Sequence, residues 1–285
     1  MKDIPIKHIN NQESNLTEDF KIRRIEDIIF ENDLNEDLHR HDFFLFLFLS
    51  KGKGFHEIDF NNHVINDYSL FLIRPGQVHK LHIKKGSIGY IMQFKKDFLY
   101  SHNNISQNHL TKLIQHNIYN LEKEGIKKIE TILNEVYKEY TLKAKGYQEV
   151  LKANLSIFLI ELLRQRKNKP TTTASGTPYA QEKLEQFLEL VESNSNTLKQ
   201  VSQYVDLLNL SSYQLNSITK KLLDKTPSDI INDYIILEAK RQLLATSKQV
   251  SQIAYHLGYD DVSYFIRFFK KHTALSPESF RQNSK

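Results

Sequence analysis

The spacing of apolar residues changes character twice along this 285-residue chain. From about residue 20 to residue 100, apolar positions fall in short runs separated by turn signals. Phe43 to Leu49 is continuously apolar and rich in aromatics, as a strand buried on both faces requires. Gly52 and Gly54 mark a turn, Phe55 to Phe60 alternates, Asn61-Asn62 signals a hairpin, and Tyr68 to Ile73 ends at Pro75-Gly76. Val78 to Ile83 and Gly89 to Phe94 continue the series, so this stretch predicts a β sandwich or barrel.

From Gly125 to Lys167 the period becomes helical. Ile126, Ile129, Ile132, Leu133, Val136 and Tyr140 form one stripe. After Gly146 a second stripe runs through Val150, Leu151, Leu155, Phe158, Leu159, Leu162 and Leu163. Two helices that close off the β domain are expected, and one of them is a candidate dimer interface. Residues 168–178 then lose apolar periodicity and are rich in Thr, Ser, Gly and Pro, the composition of a linker.

Beyond the linker, a helix over Tyr179 to Asn194 precedes a module that occurs twice. Lys199-Gln200-Val201-Ser202-Gln203 recurs letter for letter as Lys248-Gln249-Val250-Ser251-Gln252. With one extra residue in the second copy, Leu215 pairs with Phe265, Lys220-Lys221 with Lys270-Lys271, and Pro227 with Pro277. Each copy reads as a short helix, a tight turn and a second helix. Val201, Val205 and Leu208 face inward before the turn Asn209-Leu210-Ser211, followed by Leu215, Ile218 and Leu222. In the second copy Val250, Ile253, Ala254 and Leu257 lead to Gly258, and the stripe Val262, Phe265, Phe268 and Phe269 follows. This is the helix-turn-helix plan. Between the copies, Thr226-Pro227-Ser228-Asp229 starts a helix with Thr as N-cap, Pro at the first helical position and an acid in the first turn. That helix runs for some eighteen residues, or roughly 27 Å. A rigid spacer of that size suits two recognition helices that enter successive major grooves about 34 Å apart.

Taken together, Leu237-Glu238-Ala239-Lys240-Arg241-Gln242-Leu243-Leu244, Ile253-Ala254-Tyr255-His256-Leu257-Gly258-Tyr259, Ser263-Tyr264-Phe265-Ile266-Arg267-Phe268-Phe269-Lys270-Lys271 and Ser276-Pro277-Glu278-Ser279-Phe280-Arg281 resemble the AraC family of bacterial transcription regulators. The resemblance implies a double helix-turn-helix domain that binds promoter DNA. It places Ser212, Tyr213, Asn216, Ser217 and Lys220 on the DNA side of the first recognition helix, and Val262, Ser263, Ile266, Arg267 and Lys270 on that of the second. Asp224 and Ala274 depart from the family pattern by standing where a glycine usually ends each recognition helix, and Val205 stands in place of a small Ala.

The β half resembles the cupin-type sensor domain found in the same family, through His39-Arg40-His41, the Gly52 and Gly54 turn, Pro75-Gly76-Gln77-Val78-His79 and Gly89-Tyr90 to Phe94. Metal-dependent cupins add a glutamate soon after the paired histidines. Here Asp42 and a wall of Phe and Leu follow His41, with no Glu until Glu57. The missing acid favours a structural or ligand-contacting role for His39, His41, Phe43 and His79 over a metal site. The expected architecture is therefore multidomain α+β: a cupin-like β-barrel sensor over 1–119, a helical dimerisation or closing segment over 120–167, a linker over 168–178, and an all-α domain with two helix-turn-helix motifs over 179–285.

Composition narrows the function further. The chain has no cysteine, which excludes disulfides and thiolate chemistry and fits a reducing cytoplasm. Met1 to Leu16 lacks the apolar core of a signal peptide, and no run of eighteen apolar residues occurs, so no membrane partner is expected. The net charge of +5 is not concentrated in the repeat region, where residues 179–285 carry 13 Lys and Arg against 12 Asp and Glu. Local clusters must then do the phosphate work. No Ser-His-Asp set, phosphate-binding glycine loop or paired acid site is recognisable. Asp260-Asp261 sits at a helix start, where acids are simply favourable. The reading is a non-enzymatic regulator with no cofactor and no metal. Its expected partners are double-stranded promoter DNA, a small-molecule effector, RNA polymerase and a second copy of the chain. The alternatives are a cupin-type metalloenzyme with an appended DNA-binding domain and a helical protein-interaction module.

Overall fold

The computed structural model describes residues 5–9, 19–100, 109–110, 113, 116–121, 123–167 and 178–283. The chain divides into two compact units, one within residues 5–170 and one within 171–285. Residues 168–177, most of the expected linker, lie outside the described residues, as does most of the Met1 to Leu16 segment.

The first unit is built on two five-stranded sheets. Its strands are β1 (Ile6–Lys7), β2 (Phe20–Arg24), β3 (Leu34–His41), β4 (Phe44–Lys51), β5 (Gly54–Ile58), β6 (Asn61–Ile65), β7 (Ser69–Ile73), β8 (His79–Ile83), β9 (Ile88–Phe94) and β10 (Ile118–Asn120). One sheet has the order β1-β3-β8-β5-β6 and the other β10-β7-β4-β9-β2. Short helices α1 (Ile25–Ile28) and α2 (Lys96–Tyr100) flank β2 and β9, and two long helices follow, α3 (Lys123–Leu142) and α4 (Tyr147–Lys167).

Strand β4 explains its unbroken apolar sequence by being covered on both faces. Phe44, Phe46 and Phe48 belong to a core shared with Ile129, Leu133 and Val136 of α3 and Leu155, Phe158 and Leu162 of α4. Phe43, Leu45, Leu47 and Leu49 point the other way, into the space between the sheets, with Phe71, Leu81, Ile83 and Ile91. Each such buried side chain contributes about 1.5–3 kcal/mol. The two helices thus cover the outer face of the β4 sheet, as their stripes predict, except that Val150 is exposed.

The hairpin between β5 and β6 turns two residues earlier than Asn61-Asn62 suggests. Ile58 pairs with Asn61, which leaves Asp59 and Phe60 as the loop. Both have positive φ, 47° and 69°, as a two-residue type I′ turn demands. Asn61 and Asn62 are already in the strand, opposite Ile58 and Glu57. Asp59 wins the turn because its carboxylate is held by the Gln77 side-chain amide at 2.6 Å.

The second unit comprises α5 (Pro178–Asn194), α6 (Val201–Leu208), α7 (Ser212–Leu223), α8 (Pro227–Ala245), α9 (Val250–His256), α10 (Val262–Thr273) and α11 (Pro277–Asn283). One apolar core runs through Phe187, Tyr204, Leu215, Ile231, Ile235, Leu243, Ile253, Phe265 and Phe269. The repeated pentapeptide has a local cause. Gln203 and Gln252 reach back to the backbone N–H groups of Gln200 and Gln249, each at 2.9 Å, and so satisfy otherwise unpaired donors at the starts of α6 and α9.

The turns also match. Asn209 and Gly258 both have positive φ, 52° and 75°. Leu210 N–H donates to the Val205 carbonyl and Tyr259 N–H to the Ala254 carbonyl, the bond that closes a helix C-terminus. Ser211 caps α7 through the Gln214 N–H, and Asp261 caps α10 through the Ser263 and Tyr264 N–H groups. Between the copies, Thr226 caps α8 reciprocally with Asp229, with Pro227 at the first position. The nineteen residues of α8 span about 28 Å. Its far end is held by Arg281 of α11, which donates to the carbonyls of Leu243 at 2.9 Å and Lys248 at 2.6 Å.

Candidate functional site

Two places in the molecule have the chemistry of a site, one in each unit. In the second unit, the inward residues of α7 and α10 fix which side chains are left outside. Leu215 and Ile218 are buried on α7, and Phe265 and Phe269 on α10. Outside, Ser212, Tyr213, Asn216, Ser217 and Lys220 are all exposed, at the four-residue spacing of one helix face. The corresponding Ser263, Ile266, Arg267 and Lys270 of α10 are exposed at the same spacing. Val262 differs. It is half-buried and packs on the core, so it offers only part of its surface to a partner.

These two faces are chemically unequal. The first presents an amide, hydroxyls, a tyrosine at 82% exposure and a cation. The second presents Arg267, Lys270 and the half-exposed Ile266. Both helices end in a lysine pair, Lys220-Lys221 and Lys270-Lys271, which favours the C-terminal helix dipole and places positive charge near any bound phosphate. Asp260-Asp261 is no paired acid site, because Asp261 is spent on the cap.

In the first unit, a cavity of about 540 Å³ opens among β1, β2, β3, β8 and β9, within the size range of small-molecule sites. His39, His41, Phe43 and His79 all line it. Strand alternation puts His39 and His41 on one face of β3, while a bulge between Glu36 and His39 shifts the phase so that Leu34 and Glu36 line the cavity too. The ring centroids of His39 and His79 are 4.2 Å apart, and those of His41 and His79 are 4.9 Å apart.

The protonation of this cluster follows from its partners. Nδ1 of His39 donates to the Asp37 carbonyl and Nδ1 of His41 to the Phe43 carbonyl, both at 2.7 Å. Each Nε2 is therefore a lone pair. His79 Nδ1 shares a proton with Nε2 of His56, a fully buried histidine, at 2.9 Å. Burial pushes the pKa of His41 down to about 4 and that of His56 to about 3, and holds His79 well below the usual imidazole range. The cluster is uncharged at neutral pH. Nε2 of His41 and Nε2 of His79 are buried with no hydrogen-bond partner.

Neutral imidazoles suggest a metal, but the set does not fit one. Glu36, the acid of β3 that lines the cavity, is ion-paired with Lys7. Among the described residues no group of three or more His, Cys, Asp or Glu side chains is placed to hold a metal ion.

Three further lining residues, Lys7, Lys21 and Arg23, have no counterpart in the sequence expectations. The available signal is the alternation Phe20-Lys21-Ile22-Arg23. Phe20 and Ile22 join the core under α3 and α4, which turns Lys21 and Arg23 to the inter-sheet side opposite Gln93 and Ile91.

Comparison with known proteins matches both units. An AraC-like ligand binding domain model covers residues 29–95, and a helix-turn-helix domain model covers residues 204–283. The chain belongs to the AraC family of transcription regulators. Along most of its length it is similar to the transcriptional activator RhaR of Mannheimia succiniciproducens, at 24% identity over 86% of each protein. It is 22% identical to the activator RhaS of Pectobacterium carotovorum over 86% of this chain and 88% of that one. A 97-residue stretch is 31% identical to the bifunctional transcriptional activator/DNA repair enzyme AdaA of Bacillus subtilis, and spans 46% of that protein. Among solved structures, fatty-acid-bound ToxT of Vibrio cholerae aligns over 92% of this chain and 94% of its own, with 18% identity and a TM-score of 0.42. The chain is thus an AraC-type regulator with a ligand-binding β domain and a helix-turn-helix DNA-binding domain. Among the described residues no helix is long and apolar enough to cross a membrane.

Proposed function

We propose that this AraC-type regulator reads promoter DNA with the outer faces of α7 and α10 and is controlled by a small-molecule effector held in the inter-sheet cavity. The observation that carries the first half is the matched pair of exposed polar faces at identical spacing on the two repeated helices. Ser212, Tyr213, Asn216, Ser217 and Lys220 would contact DNA from the first, and Val262, Ser263, Ile266, Arg267 and Lys270 from the second. His39, His41, Phe43 and His79 would contact the effector. The protein works in the cytoplasm, recruits RNA polymerase and is no enzyme. Val150 and Ile157, one heptad apart and both exposed on α4, support a homodimer through that helix.

Mapping the sites bound by the full chain across its own genome tests the function. A small set of discrete promoter sites sharing one motif supports it; uniform background binding, or none, contradicts it.

A further inference from the structure

The two copies of the repeat place different chemistry at one position of the same face. Leu215 and Phe265 are equivalent inward residues, so Asn216 of α7 and Ile266 of α10 occupy the same outward position. Both are exposed, Ile266 at 36%. The apolar core of the unit takes in Val262, Phe265, Phe268 and Phe269 of α10 and, among the described residues, leaves Ile266 out. A β-branched side chain also lowers helix propensity, so an exposed Ile266 does nothing for α10 itself. A local rule broken without a structural gain marks a functional position.

What an isoleucine can gain there follows from what a duplex offers. Its side chain has no donor or acceptor, so it can make no hydrogen bond to a base edge or a phosphate. The major groove presents donors, acceptors and one apolar group, the C5-methyl of thymine. The N-terminal part of a recognition helix is the part that reaches base edges. Ile266 lies in the second turn of a helix whose start is fixed by the Asp261 cap. Arg267 and Lys270, exposed on the same helix, carry the charge that phosphates require.

Resting on the reading of α10 as a DNA-contacting helix, we infer that Ile266 is a specificity-determining residue that selects thymine at one base pair of the operator by burying its C5-methyl group. The position that carries an amide suited to adenine in α7 thus carries a hydrocarbon suited to thymine in α10. The contact adds one base preference to a helix whose cations serve the phosphates.

Uracil differs from thymine only by that methyl group. The test is a titration of the full chain on cognate promoter duplexes in which each thymine in turn is replaced by uracil. At one site the replacement should weaken wild-type binding by about threefold to tenfold. Ile266→Ala should weaken binding to the unmodified duplex by a similar factor, and should bind the thymine and uracil forms of that site equally. With a G·C pair at the same site, 5-methylcytosine in place of cytosine should recover about the same factor in the wild type and none in Ile266→Ala. Alanine suits an exposed helix position better than isoleucine, so the variant folds, and a Tm no lower than that of the wild type checks this. An Ile266→Ala variant that keeps every thymine-to-uracil difference of the wild type overturns the inference, and so does a wild type that shows no such difference. In either case a loss of affinity in Lys270→Gln keeps α10 on the DNA. If neither Ile266→Ala nor Lys270→Gln changes the affinity, the reading of α10 as a DNA-contacting helix falls as well.

Discussion

The ammonium of Lys199 in the first repeat reaches across to the carbonyl of Leu257 in the second. The same Nζ donates to the Ser195 carbonyl at 2.8 Å and lies 4.7 Å from the centre of the Tyr259 ring. Burial without a carboxylate brings its pKa down to about 8. Beside it, Gly258 approaches the Asn196 carbonyl so closely that an added Cβ would stand 1.7 Å from the oxygen. These contacts tie the segment before the first helix-turn-helix copy to the turn of the second.

Lys248 occupies the same place in the second copy of the pentapeptide but is exposed, and its backbone carbonyl accepts from Arg281. Lys199→Met should therefore destabilise the DNA-binding unit by on the order of 2 kcal/mol, since it removes hydrogen bonds from a charged donor. Lys248→Met should cost about 0.5 kcal/mol or less. Denaturant unfolding of the two variants checks this, and equal effects would mean that the Lys199 contacts carry no stability.

Ala274 ends α10 with a φ of 62°, a conformation that costs any residue with a Cβ. Ala274→Gly should stabilise the unit by about 0.5–1 kcal/mol. Asp224 ends α7 with a similar φ of 54°, and its short polar side chain tolerates that conformation better. Asp224→Gly should gain less. Thermal unfolding of both variants ranks them, with the reverse order as the contrary result.

The imidazole cluster makes the β unit sensitive to acid. His41 binds its proton with a pKa of about 4 when folded and near 6.5 when unfolded, so between those values the unfolded chain binds more protons. Stability contributed by neutral His41 is fully present above pH 6.5 and falls as pH drops toward 4. The loss is on the order of 3 kcal/mol for this residue. Denaturant midpoints at pH 7.5, 6 and 5 should fall steadily in the wild type and less steeply in His41→Gln. A flat wild-type profile would show that the histidines are not buried neutral.

Much of the fold was legible because its causes are local. The change of period at Gly125, the cap at Thr226, the helix start at Asp260-Asp261, and the left-handed positions at Asn209 and Gly258 are each determined within a few residues. The hairpin was misplaced because Asn61-Asn62 is the stronger turn signal by composition, whereas the distant Gln77 stabilises the turn at Asp59. The basic residues that line the cavity were invisible for a different reason. β2 buries its apolar face under α3 and α4, so Lys21 and Arg23 read as an ordinary solvated face, and periodicity cannot say that the other side of a strand lines a cavity. The duplicated pentapeptide was plain, but identical letters concealed that Lys199 is a strut and Lys248 a surface residue.

On the proposed reading, α7 selects sequence while α10 chiefly holds the DNA backbone. Asn216 is exposed on the first face and can bond adenine through two hydrogen bonds, which is worth about 1–3 kcal/mol at one base pair. Arg267 is the guanidinium of the second face and suits a phosphate. The direct measurement is a binding titration of the full chain on cognate and scrambled promoter DNA over a range of salt, for the wild type, Asn216→Ala and Arg267→Ala. Asn216→Ala should weaken cognate DNA selectively. Arg267→Ala should weaken both DNAs alike and make the salt dependence shallower by about one counterion. A selective loss in Arg267→Ala with a uniform one in Asn216→Ala would contradict the assignment of the two helices, and unaltered binding in both would contradict the interface itself.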